Sequence, residues 1–163
     1  MMCDYYFSLL GRRKGMNVDI EALINAVSKC CLGEAQCGAC DMDNCLIGYC
    51  KKMLTTSLKD NTEFIDGGVE NLPYYDTRFY DEVDVADTIG FLLNQCRNCN
   101  LYHDEACIIN IIRSALEIIL LGQAQEYKGS VLIYLNNIRD ADEAVADKIL
   151  EAFNRWKEAA SNN

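Results

Sequence analysis

Seven of the ten cysteines of this chain, with its only histidine, fall into two short runs, Cys37-x2-Cys40-x4-Cys45-x4-Cys50 and Cys96-x2-Cys99-x3-His103-x3-Cys107. Thiolate sulfur and imidazole nitrogen are the ligands of zinc and of iron-sulfur clusters. Two such ligands three positions apart in a turn grip one ion at little added entropy cost. The expected chemistry is metal binding.

The second run is nearly complete on its own. Cys96 is expected in the last turn of one helix, Cys99 just beyond it, His103 in the loop and Cys107 in the first turn of the next. Three thiolates and an imidazole close a tetrahedron, the geometry of a structural zinc site. The other ring nitrogen of His103 needs a partner, and Asp104 is the nearest. The first run supplies Cys37, Cys40 and Cys45, and a fourth ligand has to be argued. In a helix Cys45 and Cys50 sit about 140° apart around the axis. Cys50 also shares an apolar stripe with Ile47 and Leu54, which favours a buried free thiol. Cys30 or Cys31 would complete the site from the end of the preceding helix, and Cys31 is preferred. In another partition, the pairs 37/40 and 96/99 converge on one shared site, leaving His103 and Cys107 spare. Two sites are preferred, because each run is almost sufficient locally.

The two runs are also alike beyond their cysteines. Gln36-Cys37-Gly38-Ala39-Cys40 parallels Gln95-Cys96-Arg97-Asn98-Cys99, and Cys45-Leu46-Ile47 parallels Cys107-Ile108-Ile109, as a helix-loop-helix unit used twice would be. Gln36, Cys37, Cys40, Cys45 and Ile47, followed by Gly48-Tyr49-Cys50-Lys51, resemble the cubane-cluster motif of nickel carbon monoxide dehydrogenases and, distantly, that of hybrid-cluster proteins. The resemblance covers about 15 residues and implies a 4Fe-4S cluster in the first run. Where that motif has a second glycine this chain has Lys51. Neither family's catalytic activity follows from so short a match.

The elements that must position these ligands are helices. Ile20, Leu23, Ile24 and Val27 recur at helical spacing behind an Asn17 cap, in a helix that ends at Gly33. A second helix, capped by Asn44, carries Ile47, Cys50, Leu54 and Leu58 to about Lys59. A third runs from near Asp84 to Cys96. Asp104 caps a fourth, in which only Asn110, Arg113, Ser114 and Glu117 form a polar stripe, so this helix is expected at the buried centre. Ser130 caps a segment from Val131 to Ile138 that reads as helix or strand by periodicity, with helix preferred for want of partner strands. The last helix opens with Asp140 and Glu143 at capping-box spacing and shows Val145, Ile149, Phe153 and Trp156 on one face. The expectation is an all-α, single-domain bundle of five to six helices over residues 1–163, with metal-binding loops at two helix-helix junctions. Its possible halves, 1–60 and 81–160, are joined by the aromatic-rich loop 60–82. A connection this long is functional or packed down by its own aromatics, and packing is preferred.

The net charge is −10 and the pI near 4.5. A nucleic-acid or anionic-membrane surface needs clustered Lys and Arg, so neither partner is expected, and Arg12-Arg13-Lys14 is too short to reverse this. The most apolar stretch, Ile108 to Leu121, is broken by Arg113 and Glu117 and falls short of a bilayer span. Asp4 stands where a secretory signal needs positive charge. The protein is expected to be cytoplasmic, where cysteines at these spacings are metal ligands or redox thiols rather than disulfides.

Three functions are open. A noncatalytic zinc protein, acting structurally and through a protein partner or homo-oligomer, is preferred because the ligand sets are closed, whereas catalytic zinc keeps an open position. A 4Fe-4S electron carrier or redox sensor is the rival. A thiol oxidoreductase using Cys37/Cys40 or Cys96/Cys99 comes third, since no βαβ pattern surrounds either pair. The carboxylate pairs Asp81-Glu82, Asp104-Glu105 and Asp142-Glu143 stand at helix starts and are expected to cap them rather than serve as acid-base groups.

Overall fold

A computed structural model of the protein describes residues 17–96 and 105–162. Cys3, Cys99, His103, Asp104 and the basic cluster 12–14 lie outside the described residues. Among the described residues seven helices follow one another: α1 (Ile20–Lys29), α2 (Glu34–Cys37), α3 (Leu46–Asp60), α4 (Glu82–Gln95), α5 (Ile108–Leu121), α6 (Val131–Ala141) and α7 (Glu143–Ser161). The all-α expectation holds, with no strand among the described residues, and 131–138 is helical. The count of five to six is corrected to seven. The addition is α2, a single turn of four residues. It is too short to display the apolar periodicity by which a helix is recognised.

The starts of the helices are set by side chains that cap free N–H groups. Asp19, not Asn17, caps α1 by accepting from the Ala22 N–H at 3.0 Å. Asp81 accepts from Val83 and Asp84 and starts α4 three residues ahead of the expected position. Ser130 caps α6 as expected. Asp142, accepting from the Val145 N–H at 3.0 Å, starts α7 in place of the box at 140 and 143. In each displaced case a neighbouring Asp or Asn offers the same chemistry, and only the turn geometry selects among them.

One cluster of buried side chains draws on every helix except α2. Helix α5 runs through its middle, with residues 108 to 118 all buried, between α3 and α4. Helix α1 rests on α3 and α4, α7 lies along α4, and α6 packs on α7. The α4–α7 contact is close because Gly90 has no side chain. A Cβ there would sit 2.7 Å from the backbone nitrogen of Phe153. The expected polar stripe of α5 is indeed interior. Arg113 donates to Glu117 Oε1 at 2.8 Å and to Asn110 Oδ1 at 2.7 Å, and lies over the rings of Tyr127 and Tyr134 at 4.8 and 5.5 Å. The second oxygen of Glu117 accepts from the Gln125 N–H. Burial pushes the Glu117 carboxyl up, against the pull of Arg113. This charged pair orders the 122–130 connection around α5. Among the described residues, no helix is long and apolar enough to cross a membrane.

Candidate functional site

Residues 31–45 join α1 to α3 and carry Cys31, Cys37, Cys40 and Cys45. Of these fifteen residues twelve are exposed, and none is buried. Cys37 ends α2. Cys40 is exposed in the loop beyond Gly38, and Cys45 is the N-cap of α3. Asn44, the expected cap, instead donates to Asp41 and accepts from the Tyr75 hydroxyl at 2.6 Å. The Cys45 sulfur accepts from the Gly48 N–H at 3.2 Å, so a thiol performs the capping task of a Ser or Asp. Gly48 lets the loop fold back over this first turn. A Cβ there would stand 2.7 Å from the Cα of Met42.

The end of the 60–82 loop closes over the same thiols. Tyr80 Oη lies 3.1 Å from Cys45 Sγ and donates to Asp76 Oδ2 at 2.6 Å. Asp76 also accepts from the Leu46 N–H at 2.8 Å and from Arg78 at 2.8 Å. Arg78 in turn donates to the Asn44 carbonyl at 2.9 Å and reaches the Cys37 thiol. Burial, then the Asp76 and Cys45 side chains, push the Tyr80 hydroxyl well up. Burial also pushes Asp76 up, but Tyr80, the Leu46 N–H and Arg78 together hold its carboxyl below the ordinary value. Between positions 31 and 45 there are three acids and no Lys or Arg. Arg78 therefore brings positive charge to a run that has none of its own. Arg78, Tyr80 and Asp76 were not among the expected site residues. No sequence signal points to them: their alternation of half-burial at 76, 78 and 80 appears only in the structure, since the apolar Phe79 lies on the opposite phase.

The two remaining thiols of this half face inward. Cys30 is buried, with its sulfur 3.3 Å from the Thr88 hydroxyl, and burial pushes it up to about 11. Cys50 is wholly buried in α3, as its place on the apolar stripe requires, and burial raises it further. A thiol held protonated in the interior is a poor ligand beside an exposed one. Of the pair, Cys31 is the one left facing the loop.

The second run begins and ends on helix boundaries. Cys96 is the C-cap of α4 and Cys107 the N-cap of α5, both half-buried. Cys99 and His103, between them, lie outside the described residues. The backbone around Cys107 is tied to the start of the 60–82 loop, where the Ile65 N–H donates to the Ala106 carbonyl and the Ile108 N–H to the Glu63 carbonyl, each at 2.8 Å. One loop thus touches both cysteine runs, the second through residues 63–65 and the first through residues 76–80.

Among the described residues no three Cys, His, Asp or Glu side chains converge at metal-ligand distance. Cys31, Cys37, Cys40 and Cys45 share one connection, and Cys37 and Cys45 share Arg78 as a neighbour. Cys96 and Cys107 stand at the facing boundaries of the α4–α5 connection in sequence, as C-cap and N-cap. Among the described residues the arrangement is all-helical, with four thiols carried on the α1–α3 connection and two at the ends of the α4–α5 connection. No family model matches the chain, and neither the curated proteins nor the solved structures include one similar to it.

Proposed function

We propose that this chain is a noncatalytic metal-binding helical protein, in which zinc held at two junctions orders its connections and supports interaction with another protein. Cys31, Cys37, Cys40 and Cys45 are the ligands of the first site, and Cys96, Cys99, His103 and Cys107 those of the second.

The observation that carries this reading is the 31–45 connection. Ordering a residue costs about 1–2 kcal/mol of backbone entropy, which burial normally offsets. Here nothing is buried, yet four thiols stand on the segment, and its ends are fixed by α1 and α3. A divalent ion bound by four thiolates supplies an offset of the right size, with site formation and loop ordering occurring together. The exposed side chains of Cys31 and Cys40 move onto the ion at little cost, since they touch none of the core. Arg78 and the Gly48 N–H then serve as donors to the thiolates, the role that surrounding groups play at metal sites.

Elemental analysis of protein prepared without oxygen tests the reading. About one to two zinc per chain is expected. Iron and sulfide at about four each per cluster, with visible absorption, would replace zinc by the 4Fe-4S alternative. Neither metal would overturn both. Cys107→Ser should lower the zinc content by about one per chain and loosen the α4–α5 junction; full zinc retention with unchanged melting removes it from the ligand set.

A further inference from the structure

The stretch from Asp76 to Asp81 has no helical or sheet pairing, yet its exposure alternates with a period of two. Asp76, Arg78 and Tyr80 are half-buried against the first cysteine run, while Thr77, Phe79 and Asp81 are exposed. Period two is the signature of a strand. Phe79 is 94% exposed, the most exposed large apolar side chain among the described residues. Its position is not loose, because Arg78 and Tyr80 on either side are held by Asp76, Asn44 and Cys45. Among the described residues, the N–H groups of Thr77, Phe79, Tyr80 and Asp81 and the carbonyls of 76–80 make no hydrogen bond. One face of this segment is therefore anchored, and its backbone edge and its phenylalanine are presented to solvent. A single unpaired edge of this kind is a template for strand addition.

Charge says what would cover it. Residues 60–82 hold seven acids and one base, Arg78, which is already paired with Asp76. Asp81 follows Phe79 by two residues, and Asp41 lies close enough to Arg78 to feel its charge. A second copy of the chain, itself at −10, would be repelled.

We propose that the edge Thr77–Asp81 docks an extended segment of a partner protein in which basic side chains alternate with apolar ones. The partner's backbone pairs with the free N–H and carbonyl groups, an apolar side chain covers Phe79, and its cations meet Asp41 and Asp81. This rests on the interaction role given above and assigns it a surface and a partner chemistry.

The test is fluorescence anisotropy of the full chain with a labelled decapeptide alternating lysine and valine. Two twins accompany it, one N-methylated at alternate amides and one with glutamate for lysine. Binding of the parent is expected, with each twin weaker by about tenfold or more. Phe79→Ser should weaken the parent by a similar factor, while Leu132→Ser, at an exposed apolar position on α6, leaves it as it was. Equal affinity for the N-methylated twin overturns the proposal. So does indifference to Phe79→Ser in a chain of unchanged circular dichroism, or a dimer by sedimentation that Phe79→Ser abolishes. Zinc and iron content of the same sample separates this from the metal reading. A chain free of both zinc and iron that still discriminates the twins upholds the docking edge and overturns the metal sites; a metal-loaded chain that binds none of the peptides overturns the docking edge alone.

Discussion

The α4–α5–α7 interior and the 31–45 connection are built on opposite principles. In the interior, Ile89, Leu92, Ile111, Ile112, Leu116 and Ile149 are removed from water, and Gly90 lets two helices meet at backbone distance. Even its charges are enclosed, since Arg113 and Glu117 have each other, Asn110 and Gln125 as partners. In the connection nothing is buried, and order comes from point attachments: the Cys45 cap, the Gly48–Met42 approach, the Asp76–Arg78–Tyr80 clasp, the Tyr75–Asn44 bond and the Lys52–Asp43 ion pair. The first region stabilises itself through excluded water. The second has polar contacts worth about 1 kcal/mol each and no apolar area behind them, which is the condition under which a metal has most to contribute.

Damage to the interior should be global and large. Glu117→Gln leaves the buried Arg113 guanidinium without a counter-charge, and a loss of about 3–5 kcal/mol is expected in urea unfolding. A loss below about 1 kcal/mol would mean that Arg113 reaches water through the 122–130 connection, and the enclosed character of that region would be wrong.

Damage to the connection should be smaller and local. Gly48→Ala gains about 1 kcal/mol of helix propensity within α3. It also places a methyl against the Met42 backbone, where overpacking costs about 1–3 kcal/mol. The expected result is a net loss of about 1 kcal/mol, with faster amide exchange confined to residues 31–45. Equal acceleration in α4 or α7 would show that the two regions are not separable.

Asp76→Asn tests the clasp and carries a pH signature. Because the folded carboxyl lies below 3.8, its contribution is complete above that pH and is lost as the pH falls through the lower folded value. Wild type should exceed the variant by about 1 kcal/mol at neutral pH, with the gap narrowing below pH 3.8. A gap that is constant across that range would mean the carboxylate charge is not what holds Arg78 and Tyr80.

The interior was the more legible region, for a physical reason. Burial on one face of a helix forces apolar residues to recur every three or four positions, so α1, α3, α4, α5 and α7 were all visible, and the polar stripe of α5 stood out as an enclosed exception. Their first residues were less visible, because Asn17 and Asp19, or Asn44 and Cys45, offer comparable acceptors and only backbone geometry chooses. A one-turn helix such as α2 has no period to read. The aromatic loop was expected to pack down on its own rings; Tyr80 does pack against the core, but Tyr74, Tyr75 and Phe79 face out, and the buried residues of the loop include Leu72 and Pro73. Its hold on Cys45 comes from residues some 35 positions away, a separation that leaves no spacing pattern in the chain.

The smallest effect sharpens the contrast most. Cys40 is exposed, sits on no helix and makes no hydrogen bond among the described residues. In zinc-free protein Cys40→Ser should therefore change unfolding by less than about 0.5 kcal/mol, the range of a surface substitution. With zinc present the same change removes one of four ligands, so occupancy of the first site should fall and melting should drop relative to zinc-loaded wild type. The two measurements share one side chain, so any difference between them belongs to the ion. If Cys40→Ser were costly without zinc, residues 31–45 would have an apolar anchor of their own. If it were neutral both with and without zinc, Cys40 would not be a ligand.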